Sequence, residues 1–223
     1  MTNLQNKPNL GSGIYTPPDI SLILKIPQHR IRWYVAEIWD NRFGKRLFGQ
    51  RYSWSVGRQK AVNFLVLIEF KVVLFLRDLG LSTHSILKAR KEIARDLHLP
   101  YPFATSSLLA NSSKIWYRVR EQVVDADETH QLNFAQCVEE YCKHIDFGQE
   151  DLANRLWPDG RDSSVVVDPH HQFGQPTIEG TNITAETIFR MHESGESIHT
   201  LSQLYDVSEK RIRDAINFFG QAA

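Results

Sequence analysis

Cysteine is nearly absent from this 223-residue chain: there are two, Cys137 and Cys142. They stand five apart on a predicted helix, so they do not share a face. Neither a disulfide framework nor a common metal or redox motif can be built from them, and a reducing compartment, the cytoplasm, is the expectation. Long apolar runs are also missing. The longest, Phe64–Leu76 (FLVLIEFKVVLFL), is too short for a typical span and carries Glu69 and Lys71 in its middle. It predicts a buried core helix and no membrane partner. The opening MTNLQNKPNLGSG has no apolar stretch, so no secretory signal is expected. No Walker loop, Gly-x-Gly-x-x-Gly, Gly-x-Ser-x-Gly or His-Glu-x-x-His is present. With none of these, the expectation is a protein that is not an enzyme and has no cofactor.

Net charge is absent as well, with 26 basic and 26 acidic residues, yet the balance is uneven along the chain. Met1–Pro100 holds 16 basic against 7 acidic residues, and Tyr101–Ala223 holds 10 against 19. A chain divided in this way suggests two partners of opposite preference: a polyanion for the basic half and a basic protein for the acidic half. The content of 42% hydrophobic and 11% aromatic residues is that of a folded chain of one or two domains.

The pattern divides into a flexible arm at 1–13, a helical unit at 14–103, a connecting and dimerising region at 104–163, and a small helical unit at 164–223. In the first unit, Thr16-Pro17-Pro18-Asp19 reads as a capped helix start. Ile26-Pro27-Gln28 breaks that helix, and a second runs from about Gln28 to Trp39. Ile31, Tyr34, Val35 and Ile38 repeat at helical spacing and face the core. His29, Arg30, Arg32, Trp33 and Glu37 are then nearer solvent. The stretch 41–60, punctuated by Gly44 and Gly49, predicts a β-hairpin or wing. Helices follow at about Asn63–Asp78 and Ser82–Leu97, the latter with Ile86, Ala89, Ile93 and Leu97 as its buried stripe. Lys114–Val124 reads as a strand and Asn133–Phe147 as a helix. In the last unit, Val165–Val167 is a short strand, and helices are expected at about Ala185–Glu193, Ile198–Tyr205 and Glu209–Phe219.

Between Lys25 and Lys60 stand nine basic residues against Glu37 and Asp40 alone. A helix-turn-helix followed by a basic hairpin offers what a duplex requires: positive side chains for phosphates and a helix for the major groove. The candidate DNA-binding residues are Gln28, His29, Arg30, Arg32, Trp33, Arg42, Lys45, Arg46 and Arg51. A weaker second candidate is the last helix, through Lys210, Arg211 and Arg213. The histidines and carboxylates Asp168, His170, His171, His192 and His199 lack metal-ligand spacing, so no metal site is expected. Asp125, Asp127 and Glu128 read as a solvated turn.

Tyr15-Thr16, Leu24-Lys25-Ile26-Pro27, Ile31-Arg32-Trp33 and the run Phe64 to Ile86 resemble the winged-helix DNA-binding head of MerR-type regulators. The sensor cysteines of its metal-responsive members have no counterpart here. Asp168-Pro169, Gly174-Gln175-Pro176-Thr177-Ile178-Glu179-Gly180-Thr181, Gly195-Glu196-Ser197-Ile198 and Ala215-Ile216 resemble the domain of unknown function numbered 433, with Asn182 where its usual run has Arg. The two together resemble VapB-type antitoxins. That resemblance implies a mainly α fold with small β elements: an N-terminal winged helix-turn-helix, then short strands and a three-helix, homeodomain-like domain. It further implies a homodimer that represses its own operator on double-stranded DNA and neutralises a PIN-like nuclease toxin. Gly174, Pro176, Ile178, Gly180 and Thr181 would shape a dimer or toxin interface. Acidic residues Asp125, Asp127, Glu128, Glu139, Glu140, Asp146, Glu150 and Asp151 would steer the chain to a basic toxin groove. The other readings are a stand-alone transcriptional regulator and, from another class, a metal-dependent nuclease or hydrolase.

Overall fold

The structure is a computed structural model that describes residues 7–9, 11–106, 138–139, 141–148 and 151–220. It is mainly helical, with two small antiparallel sheets. Helix α1 (Pro17–Leu24) opens as the sequence predicts: the Asp19 carboxylate accepts the Thr16 backbone N–H at 2.8 Å. Lys25 leaves it in the left-handed region, and Pro27 introduces α2 (Gln28–Trp33). Helix α2 does not stop at Trp39. It continues without a break through Tyr34–Phe48 in wider, π-type turns and ends at Gly49, with φ 67°.

That continuation corrects the hairpin expected over 41–60. Asp40 and Gly44 read locally as loop residues, but both face inward. Buried Asp40 accepts the Tyr52 and Ser53 N–H groups at 3.1 and 3.0 Å and the Lys60 ammonium at 2.7 Å. A Cβ on Gly44 would stand 2.3 Å from the Gln50 carbonyl oxygen, so the glycine serves close packing and not a turn. Only β1 (Trp54–Val56) and β2 (Gln59–Ala61) form the hairpin. Arg42, Lys45 and Arg46 therefore ride on the helix, and Arg51 lies in the connection.

Helix α3 (Phe64–Asp78) is capped by Asn63, whose side chain accepts the Val66 N–H at 3.0 Å. Helix α4 (Thr83–Leu97) is capped by Ser82. Ile86, Ala89 and Ile93 are buried as expected, but Leu97, the last residue of the helix, is 38% exposed. Between these helices the structure buries a polar hub that sequence patterning does not indicate. Arg90 lies over the Phe43 ring at 4.2 Å and donates to Glu69, to the Tyr52 hydroxyl and to the Pro100 carbonyl. Glu69 also accepts from Trp39 Nε1 at 2.9 Å and from the Phe103 N–H at 3.2 Å. Burial pushes the Tyr52 phenol up to about 12, against the pull of Arg90.

The second sheet runs β3 (Ile145–Phe147), β4 (Ala153–Leu156), β5 (Val165–Val167), β6 (Pro176–Ile178), all antiparallel. The helix expected over Asn133–Phe147 thus ends earlier than predicted: Ile145, Asp146 and Phe147 pair with Leu156, Arg155 and Ala153 instead. Its Asn133–Cys137 portion, and the strand expected at Lys114–Val124, lie outside the described residues. Helices α5 (Ala185–Glu193), α6 (Ile198–Tyr205) and α7 (Glu209–Gly220) complete the chain where the sequence places them. Thr184 and Ser197 cap the first two, and left-handed Asp206 ends the second. The turn at Pro158–Asp159 is tied to the amino-terminal helices. Lys25 pairs with Asp159 at 2.6 Å, and half-buried Lys71 donates to the Pro158 carbonyl at 3.1 Å. Burial lowers the Lys71 pKa.

Candidate nucleic-acid interface

The long α2 rod sets out the cationic residues in order. Gln28, His29 and Arg32 are exposed near its start, Arg30 is half-buried, and Arg32 donates to Gln28 Oε1 at 3.0 Å. Trp33 is 51% exposed and meets the Tyr34 ring edge-on, with centroids 5.2 Å apart. From there Trp33, Ile38, Arg42 and Arg46 recur every four or five residues, a spacing that i→i+5 turns bring onto one side.

Opposite that side lies α4. Its Thr83, His84, Leu87, Lys88 and Lys91 complete a cleft of about 550 Å³ with Trp33, Ile38, Arg42, Phe43 and Arg46. Ile38, Phe43 and Leu87 are its buried lining residues. Arg42, Arg46, His84, Lys88 and Lys91 are all exposed and make no ion pair among the described residues. Sequence reasoning named Arg42 and Arg46 as DNA-binding candidates but put them on a hairpin, and it did not name His84, Lys88 and Lys91. Their spacing, opposite the stripe of Ile86, Ala89 and Ile93, is the signal that was available.

The remaining basic residues between Lys25 and Lys60 divide into two groups. Lys25 and Lys60 are held in ion pairs with Asp159 and Asp40. Lys45, Arg51 and Arg58 are exposed, with Arg58 at the β1–β2 turn. A face of unpaired cations on two helices can take successive phosphates, and an arginine fork can take one bidentately.

The last helix is differently placed. Lys210 donates to the Asp162 carbonyl at 2.7 Å and to Asp214 at 2.9 Å. Arg211 donates to the Glu179 carbonyl, and Arg213 pairs with Glu209 at 2.6 Å. His199 and Arg213 hold the Glu209 carboxyl below its usual range. All three cations are thus engaged within the chain.

The residues expected at a dimer or toxin interface are mostly interior. Gly174, Pro176 and Ile178 are buried. The Ile178 N–H is taken by the Ile183 carbonyl at 2.9 Å, so the outer edge of β6 is already occupied there. The Thr181 hydroxyl donates to the Ile178 carbonyl at 2.8 Å, and exposed Gly180 turns with φ 68°. Of the acidic residues, Asp146 pairs with Arg161 and Asp151 accepts from the Ser106 hydroxyl at 3.0 Å, while Glu139 is exposed. Asp125, Asp127, Glu128, Glu140 and Glu150 lie outside the described residues. Among the described residues, no group of three or more His, Cys, Asp or Glu could hold a metal, and no helix is long and apolar enough to cross a membrane.

Residues 165–219 match the family described as "Protein of unknown function (DUF433)". This is the segment whose glycine-punctuated run carries that resemblance. The chain is 21% identical over 174 residues to a Mycobacterium tuberculosis protein described as "Putative antitoxin VapB45", a match covering 72% of each. It is 37% identical over 54 residues to "Uncharacterized protein Rv2308" of the same organism, covering 24% of this chain and 23% of that one. The crystal structure of Rv2018, also from Mycobacterium tuberculosis, superposes with a TM-score of 0.70 at 18% identity, covering 91% of this chain and 96% of that one. A likeness at that identity is one of fold.

Proposed function

We propose that the chain is the antitoxin of a toxin–antitoxin pair, binding duplex DNA through the α2–α4 face and a nuclease-type toxin through the rest of the molecule. The observation that carries the DNA part is the cleft itself. Arg42, Arg46, Lys88 and Lys91 converge on it from two helices and stand without counter-ions among the described residues. Exposed cations that the fold leaves unneutralised attract a polyanion and release its counterions on binding. Gln28, His29, Arg32 and Trp33 at the start of the rod supply hydrogen-bonding and flat groups for base edges, while Arg51 and Arg58 extend the contact toward the hairpin. The element order, helix–turn–helix, hairpin, helix pair, supports the winged, MerR-like reading.

A homodimer would place two such faces on an operator of two-fold symmetry. The engaged state of Lys210, Arg211 and Arg213 argues for packing as the main role of α7. The toxin half of the reading is supported by the relative described as an antitoxin and by the acidic balance after Pro100.

The test is a titration of the full chain against the DNA upstream of its own reading frame at several salt concentrations, joined to co-purification with the product of the neighbouring frame. Binding should weaken with salt at a log–log slope of about −0.9 per neutralised phosphate. Absent or salt-independent binding sinks the DNA role, and a neighbour that is neither captured nor neutralised sinks the antitoxin role.

A further inference from the structure

The α2–α4 cleft has a feature that contact with a duplex leaves unused. A duplex backbone is convex and polar, so it meets cations at a rim and does not enter an apolar hollow. Yet the cleft is lined by the buried apolar side chains of Ile38, Phe43 and Leu87, and half-exposed Trp33 completes that apolar surface. Its volume of about 550 Å³ lies within the roughly 300–1,000 Å³ of small-molecule sites. A hollow between two helices, with apolar and aromatic lining and a few convergent polar groups, is the usual form of such a site.

Charge narrows the class of ligand. Among the described residues, none that lines the cleft is acidic. Arg42 and Arg46 come from one wall, Lys88 and Lys91 from the other, all exposed and without an ion pair among the described residues. Thr83 and His84, the first two residues of α4, also line the cleft, so the positive end of that helix dipole adds to the same field. Four permanent cations are more than a monocarboxylate can neutralise, and they suit a chain of phosphates. An inorganic polyanion would leave the apolar lining wet. A flat ring covers it and can stack on the Trp33 indole.

We propose that the cleft receives one free nucleoside polyphosphate, with its base against Trp33 and Leu87 and its phosphates between the arginine and lysine walls, and that it thereby competes with duplex DNA for the same cations. The competition rests on the DNA reading above; the nucleotide pocket does not.

The full chain, in buffer without divalent metal, is titrated separately with ATP, tripolyphosphate and adenosine. NMR shifts of the Trp33 indole N–H and of the Phe43, Thr83 and Leu87 amides are followed. Saturable shifts are expected with ATP, and binding of tripolyphosphate and of adenosine should each be weaker by about tenfold or more. Trp33→Ala should weaken ATP binding by about fivefold or more and leave tripolyphosphate binding unaffected. Lys88→Ala with Lys91→Ala should weaken both. Equal affinity for ATP and tripolyphosphate marks a merely cationic surface and overturns the proposal. So do ATP shifts that never saturate, or an ATP affinity indifferent to Trp33→Ala.

The DNA upstream of the reading frame is then titrated with ATP held at about ten times its dissociation constant, and with tripolyphosphate at the same concentration as the control for ionic strength. ATP should raise the apparent dissociation constant of the duplex about elevenfold, and tripolyphosphate much less. An unchanged value in ATP overturns the proposal and leaves the DNA reading standing. If the chain binds no duplex at all, the DNA reading falls and the ATP titration alone decides the cleft.

Discussion

Glu69 and Arg90 meet at 2.6 Å with neither side chain exposed to solvent. Burial alone would lower the Arg90 pKa, but the Glu69 carboxylate and the Tyr52 hydroxyl outweigh it and hold the guanidinium charged. Removing one member of such a pair strands the other, at a cost of about 3–5 kcal/mol. Glu69→Gln should therefore destabilise strongly. The joint change Glu69→Leu with Arg90→Met should cost clearly less than the two single changes added. Denaturant unfolding measures all of them, and a single-variant loss below about 1 kcal/mol would show that the pair is dispensable.

Local signals fixed the carboxyl-terminal helices almost to the residue. The first two starts have the Thr184 and Ser197 hydroxyls to cap them, and Gly195 and left-handed Asp206 bound the turns between the helices. Local signals failed over 41–60 because Asp40 and Gly44 look like turn residues until the packed chain shows what they touch. The candidate DNA face was half legible. Charge counting found the α2 cations, but the contribution of Lys88 and Lys91 depends on α4 packing beside α2, and a long-range contact leaves no local trace.

The α2–α4 face predicts a particular salt response. Arg42→Ala with Arg46→Ala, and separately Lys88→Ala with Lys91→Ala, should each weaken duplex binding and reduce the log–log salt slope by about 1.8, two phosphates' worth. Because all four side chains are exposed and without an ion pair among the described residues, Tm should hold. Lys210→Ala with Arg213→Ala should leave the slope unchanged. A reversed pattern, with the carboxyl-terminal pair altering the slope, would move the interface to α7.

Cys142 is buried, and burial raises its thiol to about 11. At pH 8 only about one molecule in a thousand carries the reactive thiolate there. Peptide mapping after brief iodoacetamide treatment of the native chain should find Cys142 unmodified, and the same treatment in guanidinium should modify it. Rapid native labelling would contradict the packing around Tyr141 and Cys142.

Asp214 ties α7 to the strand region. It accepts the Ser164 N–H at 2.9 Å and pairs with Lys210 at 2.9 Å. Burial tends to raise its pKa, but the bonds from Lys210 and Ser164 prevail and lower it. A carboxyl depressed in the folded state adds stability above its unfolded pKa of about 3.9, and that contribution fades as pH falls through the folded value. Asp214→Asn should therefore cost about 1 kcal/mol near pH 7, on the scale of one hydrogen bond to a charged group at a partly exposed site. The gap between variant and parent should narrow below pH 4. Urea unfolding at both pH values checks the sign, and a gap that widens in acid would refute it.

Tyr15 and Gly174 press on each other with no slack. A Cβ on Gly174 would lie 2.1 Å from the Tyr15 hydroxyl oxygen and 2.7 Å from Cζ, and Gly174 holds φ 85°. The ring cannot retreat toward Gly13, where an added Cβ would likewise meet it at 2.5 Å. Gly174→Ala should thus destabilise by about 2 kcal/mol or more, combining overpacking with a disfavoured backbone. Tyr15→Phe removes a buried hydroxyl that has no partner, and should stabilise by about 1 kcal/mol. With both changes the oxygen clash disappears while the Cζ contact stays, so the double variant should recover only part of the loss. A double-mutant cycle in urea should show a coupling above about 0.5 kcal/mol. Strict additivity would mean that the ring has somewhere else to go, and that its contact with Gly174 is not fixed.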